Sequence, residues 1–271
     1  MSPVFPLEIE EMILDILGDE DHKALKTCSL VCKAFLPLCR KHIFGSIVLN
    51  PRDQDVVPPP YTHTTHAFER LLRETPEIAD YIRKLDYTFR ADDLTSPTIQ
   101  ESLKRISRLE FLSVGHYDWL IGTTLDFDWS NNSIRPALLH LLHLPTLTHF
   151  KVTAINCFVI SDLIPCVNLK YLHIDFLTTG AAKTIFPGAL PENSVQPNEF
   201  VAGVRIPMTL CAARRPDGRP IIDFGSLSKI TVYVEESDEG EALQELFRHC
   251  HVLTSVNISC KCYLHCDHRL L

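Results

Sequence analysis

The sequence predicts a fold that is α+β to α/β in character: a short N-terminal three-helix module, then a longer irregular solenoid of strand–helix repeats. Three observations predict it. Apolar residues recur at helical spacing over roughly the first 40 positions. A short pattern, apolar-x-x-apolar-x-apolar, then occurs six times between residues 82 and 258. Helical text stands between most of its copies. The implied organisation is a helical module over 1–48, a linker and short helix over 49–77, and a repeat domain over 78–271 with a Pro/Gly-rich insertion at about 178–226.

The first helix is predicted over residues 7 to 17. Ile9, Met12, Ile13, Ile16 and Leu17 form one apolar stripe, and Glu8, Glu10, Glu11 and Asp15 cover the other side. Pro6 suits a helix start, the early acids suit the helix dipole, and Gly18-Asp19-Glu20-Asp21 is expected to end the helix. A second helix is predicted from about His22 to Phe35, with Leu25, Cys28, Cys32 and Phe35 on one face. Cys28 and Cys32 stand one helical turn apart, so they read as small apolar packing residues and not as a metal knuckle. Pro37 opens a short third helix to Phe44. So small a unit buries too little surface to stand alone, and calls for a partner or for the rest of the chain.

Phe5-Pro6-Leu7-Glu8-Ile9, the stripe from Ile13 to Leu17, Leu25, and Leu30-Val31-Cys32-Lys33-Ala34-Phe35 together resemble an F-box. Phe5 stands where that family usually has Leu, and Phe35 where it has Trp. The version ending CSLVCKAFLP…RKHIF resembles the F-box proteins abundant in mushroom-forming fungi. The likeness covers residues 5 to 44. It implies docking onto the Skp-type adaptor of a cullin–RING ubiquitin ligase, through Pro6, Leu7, Ile9, Ile13, Leu25, Val31 and Cys32. The bland alternative is a helical subdomain whose apolar faces all point inward.

Residues 51–60, PRDQDVVPPP, read as a linker, because the proline run excludes helix. His63 to Arg73 reads as a short helix. The recurring pattern follows: Ile82-x-x-Leu85-x-Tyr87, Leu109-x-x-Leu112-x-Val114, Leu147-x-x-Phe150-x-Val152, Leu169-x-x-Leu172-x-Ile174, Leu227-x-x-Ile230-x-Val232 and Leu253-x-x-Val256-x-Ile258. Phe44-x-x-Ile47-x-Leu49 has the same shape. The last two apolar positions of each copy alternate as a half-buried strand does. Strand plus helix, repeated, resembles a degenerate leucine-rich-repeat solenoid. The copies start 22 to 58 residues apart, against about 20–29 in a regular member. The alternative is a non-repeating α/β domain. The widest gap is rich in Pro and Gly and holds either one more repeat or a long loop.

A solenoid lines its strands into one extended surface suited to another protein. The positions expected to face a substrate are Arg83, Lys84, His149, Lys170, Tyr171 and Lys229, with Glu110, Thr148, Ser228 and Thr254 beside them. The function expected is that of a substrate-recognition subunit of a Skp–cullin–F-box ubiquitin ligase, which tethers a protein substrate near the charged carrier enzyme. The alternative is an adaptor or scaffold that acts without ubiquitin transfer. Neither needs catalysis or a cofactor on this chain.

Composition bounds the rest. The chain has 271 residues, 45% of them apolar and 22% charged, and a net charge of −8. That balance argues against general nucleic-acid binding, which needs a basic face. No run approaches the ~18 apolar residues of a membrane span, and no export signal is visible. The ten cysteines therefore read as reduced thiols of the cytosol or nucleus. The sequons at Asn131 and Asn257 carry no meaning without export. Cys260, Cys262, His265 and Cys266, with His268, are the sharpest metal candidates, but they lack knuckle spacing and read as a final strand with incidental thiols. His140 and His143 lack the glutamate and spacing of H-E-x-x-H. Trp119 and Trp129 read as packing residues. No phosphate-binding loop or nucleophile elbow is present, so a hydrolytic enzyme is disfavoured.

Overall fold

A computed structural model describes residues 7–31, 33–49, 62–63, 65–89, 91–116, 128–175, 189–203, 207–234 and 239–260. Three helices open the chain: α1 (Leu7–Glu20), α2 (His22–Val31) and α3 (Phe35–Ile43). α1 runs past Gly18, which the sequence reading expected to end it. The break comes at Asp21, whose Oδ1 accepts from the backbone N–H groups of Lys23 (2.9 Å) and Ala24 (3.1 Å) and so caps α2. Gly18 is needed for close packing: a Cβ there would lie 2.5 Å from the His42 ring on α3. Leu14, Leu25 and Cys39 form a small buried cluster between the helices, with Leu17, Cys28, Phe35, Leu38 and Ile43 packed around it.

The chain then enters a sheet. Its strands are β1 (Ser46–Leu49), β2 (Thr62–His63), β3 (Lys84–Phe89), β4 (Phe111–His116), β5 (His149–Thr153), β6 (Tyr171–Asp175), β7 (Glu199–Ala202), β8 (Lys229–Val234) and β9 (Ser255–Cys260). Among the described residues these make one nine-stranded sheet in the order β2-β1-β3-β4-β5-β6-β7-β8-β9. Every pairing is parallel. The remaining helices are α4 (Thr65–Glu74), α5 (Ala91–Thr95), α6 (Pro97–Lys104), α7 (Arg135–Leu142), α8 (Pro207–Ala212) and α9 (Glu239–Arg248), with short 3₁₀ turns at Pro76–Asp80, Trp129–Asn131, Ile160–Leu163 and Phe224–Ser226.

Register explains the core. Ile47, Leu85, Leu112, Phe150, Leu172, Phe200, Ile230 and Val256 stand side by side across eight strands. Two residues on, Leu49, Tyr87, Val114, Val152, Ile174, Ala202, Val232 and Ile258 form a second rung. All of these but the two on β9 are buried. α4, α6 and α7 add Phe68, Leu72, Ile99, Leu103, Leu138 and Leu141 to the same cluster. The alternation of β3 and β5 between buried and half-open positions follows from the two-residue period of a strand.

This architecture corrects the expected one. The chain is an α/β fold built on a single all-parallel sheet, not a three-helix F-box followed by an irregular leucine-rich-repeat-like solenoid. Two features account for the difference. β1 follows α3 after two residues and pairs in parallel with β3, Ile47 opposite Leu85, so the helices lead straight into the sheet. Residue 48, where the sequence reading closed its first module, lies inside β1. The strand connections also share no common unit. β3 leads to β4 through α5 and α6, β5 to β6 through a 3₁₀ turn (Ile160–Leu163), and β8 to β9 through α9. The Pro/Gly-rich region contributes β7 and α8 to the fold.

Candidate functional site

Nine large apolar side chains are exposed among the described residues, and their positions single out two regions. Six lie on α1 and at the end of α2; the other three lie on or just before β9. On α1, Ile9, Met12, Ile13 and Ile16 are 39 to 57% exposed. Their spacing puts them on one face, while Leu14 and Leu17 turn inward to the small cluster. Leu30 is 86% and Val31 68% exposed at the end of α2. A solvent-facing aliphatic stripe on a helix already packed through its other side is an interaction surface in form.

The residues expected to dock an adaptor divide accordingly. Ile9, Ile13 and Val31 are on the surface. Leu25 is not: it is fully buried against Leu14 and Cys39, so it supports the surface from beneath. Leu7 begins α1; Pro6, Cys32 and the side chain of Leu7 lie outside the described residues. Met12, Ile16 and Leu30 were not assigned a docking role from the sequence. The helical period of the α1 stripe was the signal for the first two.

The open face of the sheet forms a second surface. Lys84, Phe111, His149, Tyr171, Glu199, Lys229 and Ser255 are register partners across seven strands. The rings in the middle lie side by side. Phe111 and His149 have centroids 6.3 Å apart, and His149 and Tyr171 are 5.7 Å apart at 26°. Tyr171 also meets His173 edge-on at 6.5 Å, its hydroxyl 3.5 Å from Nδ1. One residue-pair further along, Asp86, Ser113, Lys151, His173, Val201, Thr231 and Asn257 make the next row, in which Ser113 and Val201 are buried. Burial, and then the Lys151 ammonium, push His173 down to about 4, so its imidazole is neutral near neutral pH. Burial, then Glu199 and Tyr233, push the Tyr171 hydroxyl up.

Of the positions expected to face a substrate, Lys84, His149, Tyr171 and Lys229 are brought into this one row. Lys170 is exposed at the entrance to β6. Arg83 is occupied differently: its guanidinium donates to the carbonyls of Asp80 (2.7 Å) and Ile82 (3.3 Å) and approaches Glu110 at 3.7 Å. Thr148, Ser228 and Thr254 staple strand starts, each hydroxyl donating to the carbonyl just before the neighbouring strand (Glu110, Asn198 and Ser228) at 2.9 to 3.2 Å. Phe111, Lys151, His173 and Glu199 were missed. For Lys151 and His173 strand parity was the signal, because each lies between the last two apolar anchors of its copy; Phe111 immediately precedes the anchor Leu112, and Glu199 lies on β7, where the repeat pattern does not register.

No group of three or more His, Cys, Asp or Glu among the described residues is placed to hold a metal ion. Cys262, His265, Cys266 and His268 lie outside those residues, as does the side chain of Cys260. Cys28 packs beside Leu25 as an apolar residue. No helix among the described residues is long and apolar enough to cross a membrane. A scan of family models finds no match to this chain, and a search of curated proteins finds none either.

Proposed function

We propose that this chain recruits protein substrates to a cullin–RING ubiquitin ligase, binding the ligase's Skp-type adaptor through α1 and the end of α2. The observation that carries the reading is the aliphatic stripe of Ile9, Met12, Ile13 and Ile16, together with Leu30 and Val31, left open to water. Fully burying an exposed side chain of this kind contributes about 1.5–3 kcal/mol; those on α1 are about half exposed, so the whole set, acting together, is what a stable contact draws on. The resemblance of residues 5–44 to the F-box sequence pattern supplies the identity of the partner. The open sheet face, with Phe111 beside His149 and His149 stacked on Tyr171 between Lys84 and Lys229, supplies a surface for the substrate. Rigid aromatic anchors and mixed charges suit a polypeptide better than a nucleic acid.

In this reading the chain performs no chemistry. It holds substrate lysines at high effective concentration beside the charged carrier enzyme, in the cytosol or nucleus. The test is co-purification with a Skp-type adaptor. Wild type should bind, and Ile13→Asp or Val31→Asp should weaken binding at least about tenfold, because each buries a carboxylate in an apolar contact. Absence of wild-type binding above background overturns the proposal. Adaptor binding without ubiquitin transfer to any co-purified protein identifies a scaffold instead.

A further inference from the structure

The second cluster of exposed apolar residues has a different geometry. β9 is the last strand of the sheet, with β8 on one side and no strand beside its outer edge among the described residues. Val256 and Ile258 continue the two apolar rungs of the core, yet each is 48% exposed. Their counterparts on β8, Ile230 and Val232, are 1% exposed. α9 buries Leu243 and Leu246 but leaves the β9 residues half open, and Val252 just before the strand is 52% exposed.

Edge strands are normally kept from pairing by charges, prolines or bulges. Ser255–Ser259 has neither a charge nor a proline. Its sequence, Ser-Val-Asn-Ile-Ser, reads polar-apolar-polar-apolar-polar in both directions. Laid antiparallel against itself with Asn257 at the centre, it sets Val256 opposite Ile258, Ser255 opposite Ser259, and Asn257 opposite Asn257. Directly opposed residues of an antiparallel pair share a face. The half-open aliphatics of the two copies would therefore meet on the inner face, and the polar residues on the outer one. A twofold axis closes this contact after two chains, so it forms a dimer and not a filament.

We propose that β9 is a self-pairing edge: two copies of this chain join antiparallel through Ser255–Ser259, with Asn257 on the twofold axis, into one continuous sheet. The occupant is a second copy because the strand is complementary to itself in polarity and carries no charge to repel its own image.

Sedimentation of the full chain across a dilution series tests this. Wild type should reach twice the 30.8 kDa chain mass at the concentrated end. The double variant Val256→Lys/Ile258→Lys should self-associate at least about tenfold more weakly, because like charges directly opposed are destabilising. Its circular dichroism should be unchanged, since both positions are half open in the single chain. Asn257→Cys adds a positive readout. Opposed residues in an antiparallel pair have Cα atoms about 4.5–5.5 Å apart, within disulfide reach. This variant should yield a linked dimer on mild oxidation that the wild type does not. A wild type that stays at the single-chain mass, a dimer unaffected by the two lysines, or Asn257→Cys chains that do not link would each overturn the proposal. Ile13→Asp should leave the dimer intact; if it abolishes the dimer, the self-contact lies on α1 and the β9 assignment fails.

Discussion

The indole Nε1 of Trp129 donates to Asp162 Oδ2 at 2.7 Å, and both side chains are fully buried. Arg135 donates to the same carboxylate, its Nη2 lying 2.8 Å from Oδ1 and 3.0 Å from Oδ2. The backbone carbonyl of Asp162 contacts His143 Nε2 at 2.8 Å. A single residue of the 3₁₀ turn after β5 thus fastens the start of α7, its end, and the Trp129 turn before it.

Asp162→Ala should therefore be among the most damaging substitutions in the sheet domain. It removes the buried carboxylate that accepts from both Trp129 and Arg135, and breaking a buried pair costs up to about 3–5 kcal/mol. Trp129→Phe removes one hydrogen bond and part of a ring; leaving the carboxylate oxygen short of that donor costs about 1–3 kcal/mol. Urea unfolding of the two variants should rank them in that order.

The N-terminal helices should separate stability from binding. Leu25 is sealed in the small cluster with Leu14 and Cys39, so Leu25→Ala should cost about 2–5 kcal/mol. Ile13 and Val31 are open to water, and Ile13→Asp or Val31→Asp should change stability by no more than about 0.5 kcal/mol. Thermal unfolding beside an adaptor pull-down measures both. Leu25→Ala would weaken the pull-down only in step with unfolding, whereas the two surface variants would weaken it while the fold persists.

Strand positions were legible in the sequence because a two-residue apolar alternation is local: Leu85 and Tyr87, Phe150 and Val152, Leu172 and Ile174 each sit on a strand with buried faces. The architecture assigned to them was not legible. Whether β1 closes a helical module or joins β3 depends on the pairing of Ile47 with Leu85, 38 residues away, and no local pattern encodes a partner. For β7 the sequence leaves a further repeat and a long loop both open, for another reason. Its anchor Phe200 is preceded three residues back by Pro197, where the other copies carry an aliphatic residue, so the pattern does not register there. The exposed stripe of α1 was visible as a period, but the period is silent on which apolar residues face in. Leu14 and Leu17 settle that through contacts with α2 and α3.

Gly203 is fixed by the approach of β6 to the end of β7. A Cβ there would stand 1.8 Å from Asp175 Oδ1 and 2.7 Å from Asp175 Cα. The carboxylate can swing aside, but the backbone atom cannot without parting the strands, whose contact includes Gly203 N–H donating to the Ile174 carbonyl at 2.6 Å. Gly203→Ala should cost about 1–3 kcal/mol. Adding Asp175→Ala should recover less than half of that loss in chemical denaturation, because the clash with Cα remains.

His173 should make the fold sensitive to mild acid. Burial, and then Lys151, hold its imidazole down to about 4 in the folded chain, against about 6.5 when unfolded. Nε2 has no hydrogen-bond partner among the described residues, and Nδ1 faces the Tyr171 hydroxyl, so the fold offers a proton little welcome. Between those two values the unfolded chain takes up a proton that the folded chain refuses. Stability is therefore complete above about pH 6.5 and declines as the pH falls towards about 4. The ring is partly open to solvent, which screens the effect, so the loss attributable to it is on the order of 1–2 kcal/mol. His173→Gln removes the titrating group while keeping a polar side chain at the site. Unfolding free energies measured at pH 7 and pH 5 should differ less in this variant than in wild type, and an equal difference in the two proteins would assign the acid sensitivity to another group.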